Sequence, residues 1–126
     1  MTKEELINEC LKLPDTYLDY PFDESTAVLK IKPSGKMFAY TDYVNPEKIK
    51  KNCGADAPVK DGDLFINLKC EPALCEIFRK QYRGVLPGYY ANKLHWNTII
   101  VGLDVPFEEL QKMIRLSYDL VALKKK

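Results

Sequence analysis

A single histidine, His95, and only three serines, Ser25, Ser34 and Ser117, leave almost no material for a Ser-His-Asp triad. The chain also lacks a G-x-G-x-x-G turn, a Walker loop and a G-x-S-x-G elbow, which removes the usual nucleotide-cradling and hydrolase signatures. Four cysteines are present, Cys10, Cys53, Cys70 and Cys75, but none forms a C-x-x-C pair. With one histidine to join them they do not make a structural zinc site, so no metal and no cofactor are expected. No apolar run approaches the roughly 20 residues that a membrane span requires. The opening MTKEELINECLKL mixes acids among its apolar residues and does not read as a secretory signal, so the expected setting is the reducing cytoplasm. There Cys10 and Cys70 read as small buried hydrophobes, and Cys53, beside Gly54, as the thiol most open to solvent.

What is there is an ordinary globular balance, 46% apolar and 29% charged over 126 residues, which fits one domain, residues 1–126, with one core. The formal net charge of +1 argues against a binder that relies on massed phosphate neutralisation. The charges are nonetheless segregated. Between residues 77 and 103 there is no acid, while Arg79, Lys80, Arg83 and Lys93 contribute four positive charges. Residues 14–28 carry Asp15, Asp19, Asp23 and Glu24 with no base among them. That acidic run reads as a solvated loop, because Pro14, Tyr17, Tyr20, Pro21 and Phe22 interleave it as packing residues. It offers oxygens to a hard cation only as a weaker reading, and it can face the basic segment within the molecule or across a dimer.

Periodicity gives the element order. Thr2 and Glu5 form a capping box ahead of a helix with Leu6, Ile7, Cys10 and Leu11 on one face. Residues 26–32 alternate as a strand, 33–35 turn, and 36–42 return as its hairpin partner. Asn45-Pro46 opens a short helix that Gly54 stops. Residues 64–69 form a further strand, and Pro72 opens a helix striped by Leu74, Ile77, Phe78 and Tyr82. Residues 96–101 are a strand, preceded by a short extended piece at 89–90. A final helix over 106–122 buries Phe107, Leu110, Met113, Ile114 and Val121, with the lysines 124–126 suited to its C-terminal end. The expected fold is α+β: one two-layer domain, a mainly antiparallel sheet of four to five strands packed by three main helices.

The suggestive stretch is PGYYANKLHWNT, residues 87–98, with its upstream bases. It supplies cations (Arg79, Lys80, Arg83, Lys93), flat rings (Tyr82, Tyr89, Tyr90, Trp96) and amides (Asn92, Asn97). Those are the types that hold phosphates, stack on bases and read base edges. Each also has a structural use: Trp96 as a core ring, Asn92 as the holder of a left-handed turn. Lys93 is the hardest to explain by stability alone, since one exposed lysine in a turn contributes little. His95 or Cys53 would support catalysis only with a carboxylate or nucleophile beside them. Pairs such as Asp61 and Asp63 read as solvated loop, so the chain is expected not to be an enzyme.

Tyr20-Pro21-Phe22, the run 35–39 (GKMFA), the run 67–72 (NLKCEP), Pro87-Gly88-Tyr89, Asn92-Lys93, the run 95–98 (HWNT) and Ser117-Tyr118 together closely resemble the MmcQ/YjbR family, from the first helix to the last. The resemblance implies a compact sheet similar to the secretion-chaperone and frataxin types, a bacterial cytoplasmic protein, and DNA binding through a double-wing motif. The connection 43–63 is longer than the one usual in that family, and its Lys48, Lys50, Lys51 and Lys60 extend a basic face. The expected function is a non-enzymatic binding protein with DNA as partner, acting as a monomer or weak homodimer. Lys36, Arg83 and Lys93 are placed on phosphates, and Tyr89, Asn92, His95 and Asn97 near bases or sugars. The alternative is a module for a protein partner or small ligand with no nucleic-acid role.

Overall fold

The structure, a computed structural model, describes residues 1–123. Among these residues the elements run α1 (Lys3–Leu11), β1 (Thr16–Asp19), β2 (Ala27–Ile31), β3 (Lys36–Tyr43), α2 (Pro46–Cys53), β4 (Leu64–Lys69), α3 (Pro72–Gln81), β5 (Val85–Pro87), β6 (Trp96–Ile100) and α4 (Phe107–Leu123). The strands form one antiparallel sheet in the order β1-β2-β3-β4-β6-β5. The lysines 124–126 lie outside the described residues. No described helix is long and apolar enough to cross a membrane.

Side-chain alternation divides the sheet into two unlike faces. One face carries Leu29, Ile31, Leu64, Ile66, Leu68 and Ile99 and is covered by α1, α3 and α4 through Leu6, Cys10, Phe78, Met113 and Ile114. A β-bulge enlarges this core. Leu29 pairs with Ala39 and Lys30 with Met37, so Phe38 has no opposite number and joins Ala39 on the same side. Phe38 then meets the Tyr118 ring edge-on, with centroids 5.5 Å apart. Ser117, buried on α4, donates to the Phe38 carbonyl and accepts from Lys69 N–H at 2.8 Å, fastening the helix across β3 and β4.

The other face carries Val28, Tyr40, Phe65, Leu86 and Ile100 and is only partly covered. Its lid is the 43–63 connection, which contributes Val44, Ile49, Cys53, Ala57 and Val59. Asn45 accepts from Lys48 N–H at 3.2 Å to cap α2, and Pro46 sits in its first turn.

The sheet is wider than expected, six strands rather than four or five. The expected solvated loop of the acidic run holds β1, because Thr16, Tyr17 and Leu18 are good strand formers once β2 offers an edge. Lys30 bonds Asp19 across that pair at 2.8 Å. The piece before β6 lies at residues 85–87, not 89–90, which turns instead. Phe107 is exposed, since it starts α4 ahead of the stripe that reaches the sheet. Ile77 is exposed as well, and Cys75, two residues earlier and so on the other side of the helix, takes the buried place on α3.

Candidate functional site

The uncovered part of the second face is an open cleft of about 470 Å³. Its floor is Met37, Tyr40 and Phe65, on β3 and β4. One wall is the loop after β1, with Phe22, Asp23, Ser25 and Thr26. The facing wall is the loop before β6, with Tyr89 and Tyr90, and the end of β3 with α2 closes the remainder through Asp42, Tyr43, Asn45 and Lys48. The loop of the acidic run and the loop of the basic segment therefore line the same cleft, from opposite walls.

The rings form a continuous edge-to-face series. Phe22 meets Tyr40 at 6.5 Å and 78°, Tyr40 meets Phe65 at 6.2 Å and 90°, and Phe65 meets Tyr89 at 5.4 Å and 78°. Tyr89 and Tyr90 lie 4.5 Å apart. Such offsets are favoured by the ring quadrupole and fix each ring against its neighbour. Two members remain open to solvent: Phe22 is 65% exposed and Tyr90 is 68% exposed.

The loop that carries Tyr89 and Tyr90 is tied down at every turn. Gly88 N–H donates to the Trp96 carbonyl at 3.0 Å, and a Cβ at Gly88 would lie 2.8 Å from that of Trp96, so only glycine fits. The Tyr89 carbonyl accepts from the Tyr40 hydroxyl and from Asn67 Nδ2 at 2.9 Å, and Tyr89 N–H donates to Thr98 Oγ1 at 2.8 Å. Thr98 in turn donates to Asn67 Oδ1. Tyr90 N–H donates to Asn52 Oδ1 at 2.9 Å, which holds Tyr90 at φ 49°, a left-handed conformation unusual for an aromatic residue. Asn92 Oδ1 accepts from Leu94 N–H at 2.9 Å, and its carbonyl accepts from His95 and Trp96 N–H. Burial holds the Tyr89 hydroxyl above its ordinary pKa and pushes that of Tyr40 far up, so both stay neutral.

The residues expected to touch nucleic acid are distributed differently. Lys93 is exposed, yet its Nζ donates back into the protein, to Asn52 Oδ1 at 2.9 Å and the Gly88 carbonyl at 2.8 Å. Asn97 does not face a ligand. It is 2% exposed, accepts from Arg79 Nε at 2.7 Å and donates to the Cys75 carbonyl at 3.2 Å, because its parity on β6 points it under α3. The Arg79 guanidinium also donates to the Lys93 and Trp96 carbonyls.

Lys36 and Arg83 stand exposed at opposite ends of the sheet. Lys36 pairs with Ile31 at the hairpin, toward the end where Trp96 enters, whereas Arg83 adjoins Gly84, whose carbonyl accepts from Ile100 N–H at the other end. Arg83 N–H and Gly84 N–H both donate to Asp104. His95 is half-buried, with its backbone bonded to Asn92 and Cys70. Of the seven expected residues only Tyr89 lines the cleft. Cys53 is half-buried, and that burial pushes its thiol up, opposite to the activation a reactive thiol needs.

Sequence reasoning missed the cleft's other wall. Phe22 was expected to pack inward, and its place in the Tyr-Pro-Phe string was the signal at hand. Tyr40 and Phe65 carried none beyond strand alternation.

The sequence profile of the YjbR family matches residues 11–120. The chain belongs to the YjbR family. Among its relatives, the uncharacterized protein YyaQ of Bacillus subtilis is 28% identical over 95% of this chain and 98% of its own length. The uncharacterized protein YjbR of Escherichia coli K12 is 32% identical over 69% of this chain and 75% of its own length. Two solved structures share the fold. A Pseudomonas syringae protein superposes with a TM-score of 0.78 at 26% identity, covering 95% of this chain and 98% of that one. A Deinococcus radiodurans protein of the domain family DUF419 gives 0.77 at 32% identity, covering 99% and 81%. The YjbR membership and the compact α+β sheet that the resemblance implied are thus both established. Residues 87–98 fold here as the anchored loop that carries Tyr89 and Tyr90 and as the start of β6.

Proposed function

We propose that this domain is a binding module for a small molecule that seats in the cleft between Phe22 and Tyr90. The observation that carries this reading is Tyr90 itself. Its ring is largely exposed, its backbone is held at a costly positive φ, and a network of side-chain bonds holds the loop in place. Backbone strain of this kind costs on the order of 1–3 kcal/mol and persists where the surroundings over-determine it. An exposed ring returns little of that as burial, so the arrangement fits a site awaiting a partner. The volume also falls in the usual range for small-molecule sites, roughly 300–1,000 Å³.

DNA binding, implied by the resemblance, makes a different demand: clustered cations free to meet phosphates. The inward-turned Lys93 and the wide separation of Lys36 from Arg83 favour the small-molecule reading instead. A thermal-shift screen against a metabolite collection tests it, because a ligand for the native state raises the melting temperature by mass action. Hits should stabilise the parent and lose their effect in Phe22→Ala and Tyr90→Gly. A salt-sensitive gel shift of duplex or single-stranded DNA, weakened by Lys36→Ala and Arg83→Ala with no metabolite hit, would return the DNA reading.

A further inference from the structure

Charge and ring geometry narrow the ligand class, on the condition that the cleft is a binding site as proposed above. The polar lining holds two carboxylates, Asp23 and Asp42, against one ammonium, Lys48. Asp42 already has a counter-ion: Lys3 Nζ lies 3.1 Å from its Oδ1. Asp23 has none among the described residues. Its four hydrogen bonds come from neutral donors, the N–H groups of Ser25 and Thr26 at 2.9 and 2.6 Å and their hydroxyls at 3.3 and 3.1 Å. Those two hydroxyls are shared with Asp42 Oδ2, at 2.8 and 3.3 Å. Each hydroxyl has a single proton, so it cannot serve both acids at once. The two carboxylates therefore stand side by side, and the Lys3 ammonium is bonded to Asp42 alone.

The rings point the same way. Aromatic faces attract ammonium and guanidinium groups, and rings combined with carboxylates are the usual receptors for organic cations. The rim already shows this chemistry, for Lys3 Nζ lies 5.7 Å from the Tyr43 ring centroid while it bonds Asp42. An anion entering on the side of Phe22 would instead meet Asp23 and Asp42, with Lys48 as the one ammonium of the lining. We infer that the ligand is an organic cation, a substituted ammonium or a cationic nitrogen heterocycle, with its charge against Asp23 and its apolar part between Phe22 and Tyr90. Backbone donation from Thr26 and Ser25 lowers the pKa of Asp23 from its ordinary value, which agrees with that role.

Three probes that share a benzyl- or phenyl-sized ring test the charge: benzyltrimethylammonium, benzyl alcohol and benzoate. Each is titrated into the full chain and followed by amide shifts in two-dimensional NMR. The cation should bind about tenfold tighter than the alcohol, with benzoate weakest, and shifts should centre on residues 22–26, 40–43 and 89–90. Asp23→Asn keeps an acceptor for the Ser25 and Thr26 donors, and should bring the cation close to the alcohol. The neighbouring Glu24→Gln should leave the preference intact. Phe22→Ala should weaken cation and alcohol together. Equal binding of alcohol and cation, tighter binding of benzoate, or a preference that survives Asp23→Asn overturns the cationic class while leaving a ligand cleft. Failure of all three probes to move the cleft amides overturns the cleft as well.

Discussion

The ammonium of Lys93 lies 2.9 Å from Oδ1 of Asn52, and the same oxygen accepts the N–H of Tyr90 at 2.9 Å. One amide in α2 thus holds both the lysine and the strained tyrosine of a loop some forty residues away. The basic residue placed on a phosphate under the DNA reading is a strut between the long connection and the loop before β6.

Lys93→Met should therefore loosen the loop. It removes the donor to Gly88 and Asn52 in a partly solvated setting, where a bond of this type contributes about 1 kcal/mol. Chemical denaturation should show a drop of that size, and amide exchange at residues 88–96 should quicken more than in the sheet.

Arg79→Lys should cost more, about 1–3 kcal/mol by the same measurement. The guanidinium serves Asn97 Oδ1 and two carbonyls at once, and a lysine cannot reproduce its planar fork. It should also leave the buried Asn97 oxygen without its donor.

Thr98→Val is close to isosteric and tests the floor of the loop. The hydroxyl accepts from Tyr89 N–H and donates to buried Asn67, so its loss strands two polar groups, each worth on the order of 1–3 kcal/mol when unsatisfied. The melting temperature should fall, and the Tyr89 resonances should broaden.

Tyr90→Gly separates stability from binding. Glycine occupies positive φ freely, so the variant should be as stable as the parent or up to about 1 kcal/mol more stable, minus the lost contact with Tyr89. Its affinity for any ligand of the cleft should nonetheless fall. A variant that loses stability and keeps its affinity would assign Tyr90 to the fold alone.

Acid should weaken the β1 edge and the loop that follows it. Lys30 holds the Asp19 carboxyl below its ordinary pKa, and Thr26 and Ser25 hold that of Asp23 below it. A depressed carboxylate pKa adds stability that is present above the unfolded value, about 4, and is lost as pH falls through the folded one. Melting temperature should thus decline below about pH 4, and the Asp19→Asn, Asp23→Asn pair should flatten that decline.

Much of the framework was legible because its signals are local. The capping box at Thr2 and Glu5, the Asn45-Pro46 start of α2, and the alternation of Leu64, Ile66 and Leu68 each fix an element within a few residues. The edge strand β1 was not legible, since its four residues sit among acids and prolines and pair only because β2 is already in place. The cleft was legible only at Tyr89 and Tyr90. Its remaining lining comes from chain segments 22–26, 37–48 and 65, which no local periodicity relates, and Asn97 revealed its inward direction only through strand parity under α3.

The sheet ends in very short strands, four residues in β1 on one side and three in β5, closed by Pro87, on the other. Free strand edges template pairing with other chains, and brevity and proline are the usual guards against it. With a formal net charge of only +1, mutual repulsion does little to keep copies apart near neutral pH. Resistance to stacking edge upon edge therefore rests on the geometry of the sheet's margins, and lengthening either strand by design would put that resistance at risk.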